Sequence, residues 1–393
     1  MNDFVFQNTT KVYFGKNQLG NLGAEVKNFG SKVLLVYGGG SIKRIGLYDK
    51  VIDELKKVGM EIFELAGVEP NPRHTTVNKG AQICRENKID VLLAVGGGST
   101  IDCAKGIAAA YYYDGDCWDL VTKKAPVTNA LPICTVLTIA ATGSEMDSGG
   151  VISNIETNEK IGLVNKLLQP KVSFLDPTNA FSVSAYQTAC GSADIISHLI
   201  DLKYFADEDA KFYMIDKMVE EVIKTVVKFA PTAIKEPTNY EARANLMWAA
   251  SWALNSFLTM GIKQAATCHS IEHELSAFYD ITHGHGLAII TPRWMEKILQ
   301  KNPEKVAPQF KKFGVNIFGV DKNLSDMDGA NAAIKKFEEF LFDTLGLKNK
   351  LSDLNIDDKN FAAMSKKACP NGELNGFIKL TPKDVEEILK ASL

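Results

Sequence analysis

Residues 90–99 read Asp-Val-Leu-Leu-Ala-Val-Gly-Gly-Gly-Ser, a short apolar run that ends in three glycines and a serine. Residues 32–41, Lys-Val-Leu-Leu-Val-Tyr-Gly-Gly-Gly-Ser, have the same arrangement. Short runs of branched apolar residues are typical of strands that are buried on both faces, as in a parallel sheet. Glycines directly after such a strand let the backbone turn tightly and point N–H groups at an anion. The two stretches therefore predict parallel strands followed by phosphate-binding loops.

Apolar runs alternate with helical patterns up to about residue 178, the arrangement of a parallel sheet covered by helices. Further strands are predicted at residues 11–14, 61–65, 131–137 and 172–175, with helices near 47–58 and 74–87. After Asp176-Pro177 long amphipathic patterns replace the strand signals, as in the apolar face from Ile215 to Val227. We therefore expect an α/β domain with a Rossmann-like parallel sheet at residues 1–178 and an all-α domain at 179–393.

Three helices of the all-α part are predicted individually. Residues 188–205 have a helical pattern, and apolar residues lie almost all round the stretch 242–260, which predicts a buried helix. Thr381-Pro382 supplies a capping residue and a proline at the first helical position. A terminal helix is therefore expected to begin there.

The composition excludes several classes of partner and location. The 393-residue chain has a formal net charge of −3 and no dense run of Lys or Arg, so neither nucleic acid nor an anionic membrane is an expected partner. The N-terminus lacks the basic and apolar regions of a secretory signal, and no stretch is apolar for long enough to span a bilayer. Seven cysteines without CxxC spacing indicate reduced thiols. We expect a cytoplasmic protein.

The second glycine loop, residues 96–99, is a candidate cradle for a phosphate at the start of a helix. It departs from the G-x-G-x-x-G dinucleotide fingerprint, because Ile101 stands where the last glycine would be. A purely structural alternative is that Ser99 and Asp102 form an S-x-x-D capping box. The presence of two such loops, each after a strand, favours the phosphate-binding interpretation.

The first glycine loop bears on the choice of cofactor. Enzymes that prefer NAD often place a carboxylate near the end of a strand, where it binds the ribose 2′-hydroxyl and would repel a 2′-phosphate. No acid follows the strand that ends at Tyr37, because residues 38–41 lead directly to Lys43 and Arg44. Backbone N–H groups, a hydroxyl and two cations suit a phosphate, so the loop favours NADP(H). The two cations could equally belong to a solvated helix start.

Four of the six histidines fall in one stretch of 17 residues: His269, His273, His283 and His285. A fifth, His198, stands four residues after Asp194. Residues at i and i+4 lie on one face of a helix, so Asp194 and His198 form one predicted pair, and His269 and His273 form another. His283 and His285 are expected on a turn. Three imidazoles and one carboxylate suit a divalent Fe, Zn, Ni or Co ion with an open position for substrate.

Two other interpretations of the histidines remain open on the residues alone. His269-Ser-Ile-Glu-His273 matches H-x-x-E-H, the inverted zinc-peptidase signature in which the glutamate is a general base. That interpretation leaves the glycine loops and the Asp194/His198 pair without a role. The other is a metal- or nucleotide-binding regulator without turnover.

Taken together, the motifs resemble those of the iron-containing (group III) alcohol dehydrogenase family, close to its NADPH-dependent butanol dehydrogenase branch. The resemblance covers essentially the whole chain. It is carried by Gly-Gly-Gly-Ser at 38–41, Glu69-Pro-Asn71-Pro72, the loop and helix start at 96–105, Thr142-Gly-Ser-Glu145-Met-Asp147, Leu175-Asp-Pro177, Asp194-x-x-x-His198, His269-x-x-x-His273 and His283-Gly284.

The resemblance implies a role for each of the following residues. The metal ligands would be Asp194, His198, His269 and His283, and His273 would be a catalytic residue beside the nicotinamide and the substrate. The cofactor would contact Gly97, Gly98, Ser99, Asp102, Thr138, Thr142, Asn71 and Lys160, with its 2′-phosphate near Gly38, Gly39 and Ser41. The substrate pocket would include Asp147, Gly149 and the region around Met260.

The resemblance implies a homodimeric, metal-dependent enzyme that interconverts primary alcohols and aldehydes by hydride transfer, with NADP(H) and with Fe²⁺ or Zn²⁺. The N-terminal domain would bind the dinucleotide and the C-terminal domain the metal. Other enzymes of the same fold, a glycerol or polyol dehydrogenase or a dehydroquinate-synthase-like enzyme, are the alternatives. The chain departs from the family pattern twice. Asp201 is a shorter acid than the usual glutamate, which is expected to alter support of the ligands, and Gly149-Gly150 predicts a roomier pocket wall.

Overall fold

The computed structural model describes residues 2–206 and 212–393. The chain forms two compact units. The sheet unit consists of Gln7–Val183 and Pro237–Asn255, and the helical unit consists of Ser184–Glu236 and Ser256–Leu393 with the N-terminal residues up to Phe6. The domain bounds at 1–178 and 179–393 stay a prediction, and the segment Pro237–Asn255 belongs to the sheet unit although it follows residue 178.

The strands of the described residues are β1 (Lys11–Phe14), β2 (Lys32–Tyr37), β3 (Glu61–Leu65), β4 (Val91–Gly96), β5 (Ile133–Leu137), β6 (Gly149–Asn154), β7 (Glu159–Val164) and β8 (Val172–Leu175). Six of them form a parallel sheet in the order β1-β8-β5-β4-β2-β3. Strands β6 and β7 form a separate antiparallel pair, which the sequence pattern did not predict. The predicted parallel sheet is confirmed, with four strands at the predicted bounds and two within two residues of them.

The apolar runs form strands because both faces of the sheet are covered. Leu34 and Val36 of β2 point into one core and Val33 and Leu35 into the other, and all four are fully buried. A strand in that position has no solvent-facing side, so it needs no polar residue at alternate positions.

The order of the strands places the two glycine loops together. After β2 the chain crosses to β3 on one side, and it then returns to form β4 on the other side of β2. Open α/β sheets bind ligands where the strand order reverses in this way, at the carboxyl ends of the two strands concerned. In this sheet the reversal lies between β2 and β4.

The helices of the described residues are α1 (Leu22–Lys27), α2 (Ser41–Arg44), α3 (Leu47–Lys57), α4 (His74–Asn87), α5 (Gly98–Ala110), α6 (Cys117–Val121), α7 (Ala185–Leu199), α8 (Tyr213–Lys235), α9 (Tyr240–Leu254), α10 (Thr267–Tyr279), α11 (His283–Lys301), α12 (Pro303–Phe313), α13 (Asp326–Glu338), α14 (Phe361–Ala368) and α15 (Pro382–Ala391). Short 3₁₀ turns occupy Gln18–Asn21, Ser144–Met146, Lys166–Leu168, Pro177–Ala180 and Ser352–Leu354, and π-helical turns occupy Ile200–Tyr204, Gly314–Phe318 and Glu339–Thr344.

The predicted helices of the C-terminal half are confirmed, with one correction. Helix α15 begins with a capping box between Thr381 and Asp384, as the Thr-Pro pair predicts. Helix α9 ends at Leu254 and not at Met260, because the apolar run continues past the helix into turns. All seven cysteines are buried and free. None of the described helices is long and apolar enough to cross a membrane.

Candidate metal centre and nucleotide loops

Helix α7 presents two of the predicted ligands on one face. Ser184 caps the helix, because its side chain accepts a hydrogen bond from Gln187 N. Asp194 and His198 follow four residues apart, so both side chains lie on the same side. They are 2% and 5% exposed, and Asp194 Oδ1 lies 3.6 Å from His198 Nε2. The helix therefore holds a carboxylate and an imidazole together inside the helical unit.

Helices α10 and α11 supply the other imidazoles. His269 lies in the first turn of α10, and His283 is the first residue of α11, where the sequence pattern predicted a turn. Gly284 has no space for a side chain, because a Cβ there would overlap the carbonyl oxygen of Cys190 on α7. With α7 and α11 this close, His283 Nε2 lies 3.7 Å from Asp194 Oδ1.

The structure brings the four predicted metal ligands together: Asp194, His198, His269 and His283. Ligand atoms of the first three all lie within 4.8 Å of one another. The ring centroids of His269 and His283 are 5.5 Å apart. Bonds of about 2.1 Å that meet at an ion at angles of about 90–120° place neighbouring ligand atoms about 3.0–3.6 Å apart. The separations of 3.6 and 3.7 Å from Asp194 lie close to the upper end of that range.

The chemistry of the donor atoms also fits a cation. Burial lowers the pKa of His198 well below its usual value, which favours the neutral form of the imidazole. Burial alone would also lower the pKa of His269, but the hydrogen bond and charge of Asp201 outweigh it and raise the pKa. Among the described residues, Nε2 of His269 has no hydrogen-bond partner. Buried ring nitrogens without a partner are costly unless something binds them, and a divalent ion meets that need.

Two buried carboxylates outside the predicted ligand set contact the imidazoles. Asp201 Oδ2 accepts a hydrogen bond from His269 Nδ1 at 2.9 Å, so the shorter acid at this position still reaches a predicted ligand. Glu272 Oε2 contacts His283 Nδ1 in the same way. Sequence reasoning singled out residue 201 only as a departure from a pattern and gave Glu272 no part in the centre. The spacing Asp194, His198, Asp201 along one helix face was the available signal.

The other two histidines of the stretch 269–285 have different surroundings. His273 is partly buried, with its ring centroid 5.5 Å from that of His283. His285 lies outside the cluster and contacts the Tyr186 hydroxyl at 3.1 Å and the Lys348 carbonyl at 2.9 Å.

The peptidase interpretation requires the glutamate of H-x-x-E-H to activate water. Glu272 is 0% exposed, and its two oxygens contact Ser276 and His283. That carboxylate is therefore engaged inside the fold, which argues against the peptidase interpretation.

The two glycine loops lie side by side in the sheet unit. Strands β2 and β4 are neighbours, and their register pairs Tyr37 with Val95. Residues 38–41 and 96–99 therefore leave the same edge of the sheet at the point where the strand order reverses. Helices α2 and α5 begin within these loops, at Ser41 and Gly98. Backbone N–H groups at a helix start are suited to bind a phosphate.

Several other predicted cofactor residues adjoin the second loop. Thr138 N donates a hydrogen bond to the carbonyl oxygen of Gly96 at 3.0 Å. A Cβ on Gly98 would overlap the side chain of Thr142, so these two residues are in contact. Gly97 and Ser99 belong to the loop itself. Two further predicted residues lie between β3 and α4 and on β7: Asn71 and Lys160.

Asp102, predicted to contact the cofactor, is engaged inside the sheet unit. Its Oδ1 accepts a hydrogen bond from Ser144 Oγ at 2.6 Å and its Oδ2 from Val151 N at 2.9 Å. Burial raises its pKa to about 6. The alternative that Ser99 and Asp102 form a capping box is wrong, because α5 already begins at Gly98. The cofactor role of Asp102 stays a prediction.

Lys105 completes this buried network, a contact that sequence reasoning did not foresee. It is 0% exposed, and its Nζ donates to the Ser144 carbonyl at 2.8 Å, the Ser144 hydroxyl at 2.9 Å and the Gly149 carbonyl at 2.5 Å. It also forms an ion pair with Asp147. A buried ammonium is tolerated when its donors are satisfied in this way. The network joins α5 to the segment that leads into β6.

The expectation of a roomier wall at Gly149-Gly150 is wrong at Gly150. A Cβ on Gly150 would lie 3.3 Å from the Asp102 Cα, so the missing side chain lets β6 pack closely on α5. At Gly149 a Cβ would meet Val164 Cγ2 at 3.5 Å, an ordinary contact. The assignment of Asp147, Gly149 and Met260 to a substrate pocket stays a prediction.

Comparisons with known proteins match this chain over nearly its whole length. The model of the family described as iron-containing alcohol dehydrogenase matches residues 9–177, and that of the C-terminal part of the Fe-containing alcohol dehydrogenase family matches 188–393. NADH-dependent butanol dehydrogenase A of Clostridium acetobutylicum is 48% identical, with 100% of both chains covered. The NADPH-dependent aldehyde reductase YqhD of Escherichia coli is 35% identical, with 95% and 94% covered.

A solved structure agrees with the sequence comparison. The crystal structure of NADH-dependent butanol dehydrogenase A from Thermotoga maritima superposes with a TM-score of 0.93 at 40% identity, covering 100% of this chain and 99% of that one. The chain therefore belongs to the iron-containing alcohol dehydrogenase family. Membership implies interconversion of an alcohol and an aldehyde with a divalent metal and a nicotinamide cofactor.

Proposed function

We propose that this chain is a metal-dependent dehydrogenase of short primary alcohols such as butanol, which also reduces the corresponding aldehydes and prefers NADPH. The observation that carries the proposal is the clustering of Asp194, His198, His269 and His283. The names of the relatives, two butanol dehydrogenases and an aldehyde reductase, support butanol and butanal as substrates.

Asp194, His198, His269 and His283 are the proposed ligands of a divalent ion, Fe²⁺ in preference to Zn²⁺. When bound, such an ion polarises a carbonyl oxygen and stabilises negative charge on it. The buried imidazole of His198, whose lowered pKa favours the neutral form, and the partnerless Nε2 of His269 support this assignment. Elemental analysis of protein purified without oxygen tests the preference for iron.

Substitution of a ligand tests the metal centre directly. His269→Ala or Asp194→Ala is expected to abolish bound metal and turnover, because each removes a donor atom from the cluster. His285→Gln is the matched control, since His285 contacts only Tyr186 and Lys348 in the described hydrogen bonds and should keep full metal content. Undiminished turnover by metal-depleted wild-type protein would refute the proposal.

His273 is the proposed catalytic residue that holds and moves a proton at the substrate oxygen. It lies beside His283 without belonging to the four ligands. Proton transfer by a positioned side chain typically contributes about 10²-fold or more to the rate. His273→Gln should therefore keep metal content and lower kcat by about that factor. An unchanged kcat would show that His273 serves only to pack.

The cofactor is proposed to bind at the two glycine loops, where it supplies or accepts the hydride. The proposed contacts are Gly38, Gly39, Ser41, Asn71, Gly97, Gly98, Ser99, Asp102, Thr138, Thr142 and Lys160. The preference for NADPH rests on the first loop, which carries no acid. Glu64 on the neighbouring strand is occupied, because it accepts hydrogen bonds from the Tyr37 and Tyr48 hydroxyls at 2.7 Å.

Two of the relatives are named as NADH-dependent and one as NADPH-dependent, so the cofactor preference of this chain has to be measured directly. With butanal as substrate, kcat/KM followed at the nicotinamide absorbance band should be at least about 10-fold higher with NADPH than with NADH. Gly39→Asp should reverse the preference, because its carboxylate would repel a 2′-phosphate. A Cβ at Gly39 meets no atom within 4 Å, so Gly39→Ala is a neutral control. Equal efficiencies in the wild-type enzyme would overturn the preference.

Two further measurements test the substrate class and the oligomeric state. Glycerol in place of butanol tests the polyol alternative and should be turned over at least about 10-fold less efficiently, since one lost hydroxyl or methylene contact is worth that order. A homodimer is also proposed, from the family resemblance, and light scattering of the purified protein tests it.

A further inference from the structure

The start of helix α10 is capped by a residue from another helix. Its own N-cap residue, Ala266, makes no side-chain cap hydrogen bond. Asp201 Oδ1 instead accepts from Thr267 N at 2.8 Å, and Asp201 Oδ2 accepts from His269 N at 3.0 Å. A helix start leaves its first N–H groups without intrahelical partners. Asp201 satisfies two of these groups on α10.

The same carboxylate fixes the ring of His269. Asp201 Oδ2 lies 2.9 Å from His269 Nδ1. A carboxylate can only accept, so Nδ1 carries a hydrogen, and in the neutral ring Nε2 is the nitrogen that has the lone pair. His269 lies in the cluster with Asp194 and His198, and its Nε2 has no hydrogen-bond partner among the described residues. One carboxylate thus sets the position of the His269 backbone, the rotation of its ring and its tautomer.

The position of Asp201 follows from the helix that carries it. Asp194, His198 and Asp201 are spaced i, i+4, i+7, which places all three on one face. The last of them lies in the π-helical turn Ile200–Tyr204 that continues α7. Asp201 is 1% exposed, so its charge depends on the three N–H groups of α10 for compensation. The two ligand-bearing helices are tied together at this point.

A second buried carboxylate repeats the arrangement at His283. Glu272 is 0% exposed, accepts from Ser276 Oγ at 2.5 Å and contacts His283 Nδ1. Two of the three imidazoles are therefore backed by a carboxylate. Partners of this kind typically contribute 10–100-fold to metal affinity, because they hold a ligand in its binding orientation.

We propose that Asp201 is a positioning residue of the metal centre, which aims Nε2 of His269 at the ion by capping α10 and fixing the ring in one contact. Asp201 can do so only if the metal centre proposed above exists. The experiment therefore measures Zn²⁺ binding to metal-free, full-length protein by competition with a chromophoric chelator, and does not depend on turnover.

Asp201→Ala is expected to raise the Zn²⁺ dissociation constant by about 10–100-fold relative to wild type. Asp201→Asn keeps one acceptor oxygen for three N–H groups, so its affinity should fall between the two. If Asp201→Ala does not fold, Asp201→Asn carries the test. In Co²⁺-loaded protein the visible absorption bands, which report coordination geometry, should shift in the Asp201 variants.

Ser184→Ala is the matched control. It removes the N-cap of α7, the helix that carries Asp194 and His198, without touching an imidazole. It should lower the melting temperature of the metal-free protein, as loss of a cap does, and leave Zn²⁺ affinity within about 3-fold of wild type. The Co²⁺ absorption bands should remain as in wild type.

Three outcomes would overturn the role of Asp201. Asp201→Asn could bind Zn²⁺ as tightly as wild type with unchanged Co²⁺ bands, which would show that the carboxylate is dispensable. Ser184→Ala could lose as much affinity as the Asp201 variants, which would reduce Asp201 to an ordinary cap. Failure of the wild-type protein to bind Zn²⁺ would instead refute the proposed metal centre itself.

Discussion

Glu145 is a buried acid of the sheet unit, and the described residues provide a hydrogen-bond partner for one of its two carboxyl oxygens. It is 0% exposed, and the Ser251 hydroxyl donates a hydrogen bond to its Oε1. Its Oε2 has no hydrogen-bond partner within residues 2–206 and 212–393. Burial raises the pKa of this carboxyl from 4.5 to about 7. The folded protein therefore holds the proton of Glu145 more tightly than the unfolded chain does.

This difference makes the free energy of unfolding depend on pH. Below about pH 4.5 the carboxyl is protonated in both states, so it contributes no difference. As the pH rises from about 4.5 to about 7, the unfolded chain loses the proton first and stability falls. The Glu145→Gln side chain is neutral at every pH. Its gain in free energy of unfolding over wild type should therefore be larger at pH 8 than at pH 5, by on the order of 2 kcal/mol.

Urea denaturation at the two pH values measures this prediction. Glu156→Gln removes one negative charge from an exposed position of the same unit and controls for the change in net charge. The difference between the two variants should be larger at pH 8 than at pH 5. A Glu145→Gln protein that follows the wild-type pH profile would contradict the prediction.

At the scale of single residues, sequence could predict those positions whose spacing is local. The pairs Asp194/His198 and His269/His273 follow from helical periodicity, and the helices confirm them. The contact between Asp201 and His269 spans 68 residues of chain, and no local pattern encodes it.

Helices α7 and α11 owe their close approach to one glycine. A methyl group on Gly284 would overlap the Cys190 carbonyl oxygen, and a backbone atom cannot move aside as a flexible side chain can. Gly284→Ala should therefore force the two helices apart and destabilise the protein by about 1–3 kcal/mol. Because Asp194 and His283 lie on these helices, bound metal should fall as well.

Thermal unfolding and metal analysis of the same preparation check both parts of this prediction. Gly20→Ala is the control, since a Cβ there meets no atom within 4 Å. If Gly284→Ala kept the wild-type melting temperature and metal content, the helices would have to tolerate the extra methyl group, and the glycine would not be needed for their approach.

Strands and helices could be predicted from sequence where the apolar pattern was long or where the strand was buried on both faces. The strand runs at 32–37 and 61–65 and the helix at 74–87 were predicted at their observed bounds. The antiparallel pair β6–β7 was missed because glycines and polar residues interrupt the apolar pattern of both strands. His283 was placed on a turn because two glycines flank His285, yet tertiary packing on α7 makes this segment helical.

For the molecule as a whole, a bound ion should act as a stabiliser. A ligand that binds only the folded state raises the free energy of unfolding, by about 4 kcal/mol when its concentration is 1,000 times the dissociation constant. Removing the metal with a chelator should therefore lower the melting temperature of the wild-type protein by at least about 5 °C. His269→Ala should show no such change, since it lacks a ligand.

Differential scanning calorimetry with and without chelator measures both melting temperatures. His285→Gln, which keeps all four proposed ligands, should respond to the chelator as the wild type does. An equal response from His269→Ala would show that the ion stabilises the protein from some other site.

The strand order of the whole molecule was beyond sequence reasoning. Periodicity identifies a strand but not its neighbours, and the order β1-β8-β5-β4-β2-β3 joins segments up to 161 residues apart, as in the pairing of Lys11 with Val172. That the two glycine loops bind one ligand stays a prediction. Both loops follow strands that the sheet makes neighbours.

Because Lys105 is buried, the reactivity of its amine reports whether the sheet unit is still folded. Acylating reagents need an amine that reaches solvent, and the Nζ of Lys105 is enclosed by Ser144, Asp147 and Gly149. In the intact protein this amine should stay unmodified while exposed lysines such as Lys57 react. Mass spectrometry of protein labelled during slow heating would then give the temperature at which Lys105 becomes modified, and hence at which α5 separates from the segment before β6.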